Sequence, residues 1–213
     1  AKLSWEYEFS QAVQLSAKAS VSKIGRDESY LPDFRQPAFL GANKSAVFTG
    51  TATHTAMQYL PFEGVRAADA LEEYLRSLVE CGRLTQEQAE AVDREAVLWF
   101  TTTPLLFRMQ NSARLERELA FSYAVDASFL YDVESDERVL LQGVMDACFL
   151  ENGAWTILDY KTDRVRPGES AEQAAQRHAL QLSLYALALE ALTKLPVKEK
   201  LVVMLSHRAV IAV

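Results

Sequence analysis

At about residue 114 the hydrophobic pattern changes its period, and no other feature of the chain constrains its fold so strongly. Before that point apolar residues recur at helical spacing. ADALEEYLRSLVECGRL sets Leu71, Tyr74, Leu75, Leu78 and Val79 on one face and stops at Gly82, a residue suited to ending a helix. TQEQAEAVDREAVLWFTTT opens with Thr85 and Gln88 at capping-box spacing and carries Ala89, Val92, Ala96 and Phe100 on one face, with Pro104 marking the next turn. Upstream, GTATHTAMQYLPF predicts a helix that starts at the glycine and threonines, with His54 in its first turns. Beyond the switch, RLERELAFSYAV, ERVLLQGVMDACFL and AWTILDYKT are rich in β-branched and aromatic residues and predict strands. Asn152-Gly153 between the last two is a hairpin dipeptide.

The remaining segments complete an α/β layout. ESAEQAAQRHALQLSLYALALEAL predicts one long helix with Ser170 as N-cap and a core stripe of Leu180, Leu184 and Leu187, and VKEKLVVMLSH a final strand. At the other end, WEYEFSQAVQLSAKA alternates weakly and then connects to a short helix start at Ser20 and a polar loop with two prolines. The expected architecture is a mainly helical half over residues 1–113 packed on a mixed sheet with a crossover helix over residues 114–213. The chain starts without methionine and stops just after a strand, which fits a domain excised from a larger polypeptide and equally a processed or tagged protein.

Composition excludes several classes. With 49% hydrophobic and 24% charged residues the chain is not a disordered one. No apolar run approaches the roughly 20 residues of a membrane span, and the first residues lack a signal peptide's layout. Cys81 and Cys148 stand far apart, in no metal-ligand spacing, so a reducing, cytoplasmic setting is expected and Cys148 reads as a small buried hydrophobe. The net charge of −7 speaks against a nucleic-acid partner as a sum. Its distribution does not, because Lys161 to Arg208 holds eight basic residues against five acidic ones. The acidity lies in the rest of the chain, which could face solvent or another protein.

Strand QGVMDACF presents Asp146, and ILDYKT presents Asp159 and Lys161, two apart and on one face. Two carboxylates on adjacent strands can hold a hard divalent cation, and a lysine beside them can orient a water or offset charge on a phosphorane-like transition state. Asp-Tyr-Lys alone is a weak motif, far more often a surface pair than a catalytic one. Its context, a Gly-X-X-Asp strand, a turn, an apolar run and then a long helix, points to a phosphodiesterase site.

QGVMDACFLENGAWTILDYKTD followed by QLSLYALALE resembles the nuclease domain of the RecB/AddA family within the PD-(D/E)XK superfamily. KASVSKI, GTATHTAMQYL, ECGRLTQEQ and RELAFSYAV sit where AddA subunits of bacterial helicase–nucleases have comparable segments, so the resemblance covers nearly the whole chain. It implies a restriction-endonuclease-like core in one nuclease domain, residues 1–213. It also implies His54, Asp146, Asp159 and the Tyr160 carbonyl as ligands of Mg²⁺ or Mn²⁺, with Lys161 catalytic. Gln181 and Tyr185 match the family's Gln-X-X-X-Tyr, one helical turn apart, and Glu118 in RELAF matches an acidic position of unassigned role. His178 and His207 match no pattern. Two cysteines cannot supply the four-cysteine iron–sulfur cluster found in several relatives, the AddB partner among them.

The function implied is an exonuclease acting on single DNA strands that a helicase motor delivers, alongside an AddB-type partner, in resection of double-strand breaks. The motor itself is absent from these residues, which contain no G-X-X-X-X-G-K-[ST]. The rivals are a stand-alone RecB-like exonuclease and an inactive DNA-binding or scaffold module.

Overall fold

The computed structural model describes residues 17–24, 44–131, 137–163, 165–166 and 168–213; the weakly alternating opening and the polar loop lie outside them. Six strands form one mixed sheet: β1 (Lys18–Ser20), β2 (Arg114–Asp126), β3 (Arg138–Glu151), β4 (Ala154–Lys161), β5 (Val197–Met204) and β6 (Ala209–Ala212). β3 is its spine. It pairs with antiparallel β2 on one edge from Arg138 to Leu150, with the register interrupted at Asp146. On its other edge it pairs with parallel β1 at Leu140–Gln142 and with antiparallel β4 at Ala147–Glu151. The β3–β4 turn is the Asn152-Gly153 pair, both at positive φ as a tight hairpin requires. β5 lies parallel to β4, reached through a helical crossover, and β6 folds back along β5.

Helices cover both faces. α2 (Lys44–Tyr59), α3 (Ala68–Glu80), α4 (Gln86–Ala91), α5 (Arg94–Thr101) and α6 (Pro104–Gln110) bury Met57, Leu71, Leu75, Val97, Phe100 and Met109 against Phe149, Leu158, Tyr160 and Val203. On the opposite face α9 (Ala179–Thr193) lays Leu184, Tyr185 and Leu189 on Met145, Cys148, Trp155 and Ile157. In β5, Leu201 and Val203 face the helical layer while Val202 and Met204 face away, the period of two that a strand buried on both faces requires. Three short helices, α1 (Val21–Ile24), α7 (Ala127–Leu130) and α8 (Ala171–Gln176), complete the α-helical elements among the described residues.

The predicted α/β architecture stands, with several corrections. α2 begins at Lys44, so His54 lies in its third turn and not its first. The segment after Thr85 is two helices, because the Asp93 carboxylate accepts from Ala96 N–H at 3.0 Å and starts a new helix. The Thr85–Gln88 capping box is present as expected. The long helix after Ser170 is likewise broken, at Arg177 and His178, although Ser170 caps its first part. Lys18–Ser20, expected as a connector, is a strand because β3 offers it an open edge. The final strand is followed by another, since Arg208 takes a left-handed conformation that reverses the chain without glycine. Leu180 is exposed rather than core, because α9 turns Gln181 and Tyr185 inward beside it.

Candidate active site

Beyond the Ala147–Leu158 rung β3 and β4 stop pairing, and the next residues toward the opening are Asp146 and Asp159. The ladder bond there is replaced by a side chain: Tyr160 N–H donates to Asp146 Oδ2 at 2.7 Å. Between β1 and β4 the edge of β3 over residues 143–146 therefore has no strand partner among the described residues. The site occupies this gap.

Across the other edge, the β2–β3 register runs Arg117–Ala147 and then Leu119–Met145, which sets Glu118 opposite Asp146. Glu118 has φ of +50°, a conformation that costs a non-glycine residue on the order of 1–2 kcal/mol. Its effect is visible in the packing. Leu119, Phe121 and Val125 face α9, whereas Leu115 faces the helical layer. β3 inverts at the same rung, with Met145 toward α9 and Ala147 toward the helices. Both strands thus exchange faces at Glu118 and Asp146 without an inserted residue. That exchange lets carboxylates of the sheet meet a histidine from the helical layer.

His54 on α2 supplies it, with Nε2 at 3.0 Å from Asp146 Oδ2. Ligand atoms of His54, Glu118 and Asp146 all lie within 4.8 Å of one another. The hydrogen bond with Asp146 raises the His54 pKa above its usual 6.5 against the opposing effect of burial. Burial raises the Glu118 carboxyl, and the Asp146 charge adds to it.

Asp159, on the α9 face of β4, is buried. Its carboxyl is pushed up to about 6 by burial and by Asp146, with Lys161 and His178 opposing. Lys161 Nζ stands 2.5 Å from Asp159 Oδ2 and donates to Gln181 Oε1 at 3.3 Å. The Gln181 amide donates to Asp159 Oδ1 at 3.0 Å and to Tyr185 Oη at 2.9 Å. Tyr185 is further hydrogen-bonded to Ser22, and burial lifts its phenol to about 12. Its ring meets Phe121 edge to face at 5.7 Å.

Of the residues singled out from sequence, His54 and Asp146 converge with Glu118, and Asp159, Lys161, Gln181 and Tyr185 form an adjoining hydrogen-bonded chain. Tyr160 contributes its N–H, while its buried ring packs between His54 and Phe100. Two residues gain importance. Glu118 joins the cluster, and RELAF had already marked it. His178, expected to be a bystander, places Nε2 at 3.1 Å from Asp163 Oδ2 at the start of α9 and holds that carboxyl below its usual range. No spacing rule connects residues 163 and 178.

The donor set fits a divalent metal. Glu118 Oε1 and Asp159 Oδ2 are buried without a hydrogen-bond donor, since the Lys161 contact is an ion pair off hydrogen-bond alignment. Lys161 offsets the charge of Asp159 alone, and the buried Glu118 oxygen beside Asp146 has no ammonium of its own, so a bound cation would offset the remaining desolvation. Carboxylates with one imidazole suit a hard or borderline divalent ion.

A family model described as the PD-(D/E)XK nuclease superfamily matches residues 34–211. This chain belongs to that superfamily. Its helix-flanked mixed sheet is consistent with the superfamily's restriction-endonuclease-like fold, and membership makes it a nuclease-class hydrolase with a candidate metal site at His54, Glu118 and Asp146. The PD-(D/E)XK chain is 34% identical to the AddA component of the ATP-dependent helicase/nuclease of Bacillus licheniformis, over 92% of its own length and 18% of that protein's. Against the corresponding AddA protein of Oceanobacillus iheyensis it is 31% identical, over 100% and 19%. Against that of Acetivibrio thermocellus the figures are 34%, 93% and 17%. The chain thus spans under a fifth of the length of these curated relatives. No helix among the described residues is long and apolar enough to cross a membrane.

Proposed function

We propose that this chain is the nuclease domain of an AddA-type helicase–nuclease and hydrolyses phosphodiester bonds in DNA strands that a motor delivers to it. The observation that carries the reading is the meeting of His54, Glu118 and Asp146 within 4.8 Å, beside the paired Asp159 and Lys161. Asp146 and Asp159, with His54, Glu118 and the Tyr160 carbonyl, would hold Mg²⁺, or Mn²⁺ in its place. A cation there lowers the pKa of a bound water and polarises the scissile phosphate. Lys161, fixed by Asp159 and Gln181, offers an ammonium to charge that develops on the phosphate and orients the attacking water. Gln181 and Tyr185 keep that ammonium in place from α9. The relatives' names, each a subunit of an ATP-dependent helicase/nuclease several times this length, support a domain that works within a longer chain beside a motor and a partner subunit. We extend this to an AddB-type partner and to double-strand break processing in the cytoplasm.

Labelled single-stranded DNA incubated with the protein and Mg²⁺ or Mn²⁺, beside Asp159→Ala, tests this. The expected result is metal-dependent cleavage that the variant lacks. Cleavage by Asp159→Ala at the wild-type rate overturns the site. If neither protein cleaves, the same pair compared within the assembled helicase–nuclease decides between a domain that needs its motor and an inactive module.

A further inference from the structure

His54 reaches the carboxylates only because α2 is docked on the sheet at two places, about one helical turn on either side of it. On the N-terminal side stands Gly50, where a Cβ would lie 2.6 Å from Thr162 Oγ1. The helix backbone thus touches the residue that follows Lys161, at a distance only glycine permits.

The C-terminal side is held differently. The last carbonyls of a helix lack intrahelical donors. Here Arg117 reaches from β2 and donates to Gln58 O at 3.2 Å and Leu60 O at 2.8 Å. Its guanidinium also lies over the Phe62 ring, 4.1 Å from the centroid. Among the described residues these partners include no carboxylate, and burial lowers the Arg117 pKa. A half-buried cation held by carbonyl dipoles and a ring is a costly way to cap a helix. Its position gives the reason. Arg117 precedes Glu118 and pairs across the sheet with Ala147, which follows Asp146. Gln58 lies one helical turn after His54, on the same side of α2.

We propose that Arg117 is a positioning residue that sets the His54 imidazole over the Glu118–Asp146 rung. It couples the turn after His54 to the rung beside the two carboxylates, so that the 3.0 Å approach of Nε2 to Asp146 is fixed before any cation arrives. Sites of this kind tolerate displacements of only about 0.5 Å, so the tether at the turn after His54 bears directly on the ligand. The inference rests on reading the cluster as a divalent-cation site.

Calorimetric titration of Mn²⁺ into the whole chain tests it, with wild type, Arg117→Met, Arg117→Lys, His54→Ala and the Arg117→Met/His54→Ala double variant. Arg117→Met is expected to weaken Mn²⁺ binding about 10- to 100-fold, the range for groups that orient a ligand, and Arg117→Lys by less. In the His54→Ala background Arg117→Met is expected to change nothing further, because the ligand it positions is gone. A merely structural arginine would weaken binding equally in both backgrounds, and that result overturns the inference, as does wild-type affinity in Arg117→Met. If Arg117→Met fails to fold by near-ultraviolet circular dichroism, Arg117→Lys decides: full affinity overturns the inference, and a loss that vanishes with His54→Ala supports it. If wild type binds no Mn²⁺, or His54→Ala binds it as wild type does, the cation-site reading itself falls and takes this inference with it.

Discussion

The two ends of the β3–β4 pair hold clusters of charge that obey opposite rules. At the hairpin end Glu151 is paired with Arg108 at 2.5 Å and Lys198 at 2.7 Å, and Arg108 also reaches Glu199 at 2.5 Å. The strands there stay in register, and the Arg108 hydrogen bond holds the Glu151 carboxyl low. At the open end Glu118, Asp146 and Asp159 share one ammonium and one imidazole, the strands part, and two buried oxygens lack donors. A cluster whose charges are matched stabilises its own geometry. One with surplus carboxylate is strained alone and completed by something it binds.

The largest expected effect concerns Asp159. Asp159→Asn keeps the shape but removes a charge, and should lower metal-dependent cleavage on the order of a thousand-fold. Its melting temperature should change little, because the variant removes the desolvation and the Asp146 repulsion that lift the Asp159 carboxyl together with the ion pair to Lys161. A large drop in melting temperature would show that the open end is structural after all. Gly143→Ala comes next. A Cβ there would stand 2.8 Å from Phe121 Cε1 and 3.0 Å from Tyr185 Cε1, so a loss of about 1–3 kcal/mol is expected in denaturant unfolding. Cleavage should fall too, since Tyr185 supports Gln181; unchanged stability would mean the rings move aside freely.

The two ends should also answer pH in opposite directions. Asp159 at about 6 and the raised Glu118 bind protons more tightly folded than unfolded, so the metal-free protein loses this contribution to stability as pH rises through that range. His54, raised above 6.5, acts in the same sense: its contribution is present below the unfolded value and lost as pH climbs through the folded one. Glu151 is held low, so its contribution is present above 4.5 and lost as pH falls through its folded value. Thermal melts from pH 2 to 8 should show Asp159→Asn flattening the limb between about pH 4 and 6, and Glu151→Gln the limb below pH 4.5. The same slope in all three proteins would erase the distinction. Mn²⁺ binding should tighten as pH rises through about 6, as protons leave the ligands. The smallest effect is Arg108→Met, about 1 kcal/mol for a partly exposed network, with cleavage unchanged; a slower enzyme would mean the two ends are coupled.

Much of this was legible in one dimension. The period change at residue 114, the capping boxes at Thr85 and Ser170, and the Asn152-Gly153 turn are local, because each depends on residues within one turn or one pleat. Asp146, Asp159 and Lys161 could be read for the same reason: a hairpin fixes which residues face each other across it. What stayed hidden depends on distant parts of the chain. The face exchange at Glu118 and Asp146 breaks the alternation that strand prediction relies on. The pairing of His178 with Asp163, the reach of Arg117 to α2, and the break before α9 each join residues with no shared period.

The sequence by itself determined most of the helices and the long strands and marked the residues proposed for the chemistry, because propensity, capping and turn geometry act over a few residues. Only the tertiary structure decided that a histidine from the helical half meets the carboxylates of the sheet. That meeting depends on a left-handed residue, a close helix approach at Gly50 and a buried arginine, whose energies come from contacts between segments that the order of residues does not bring together.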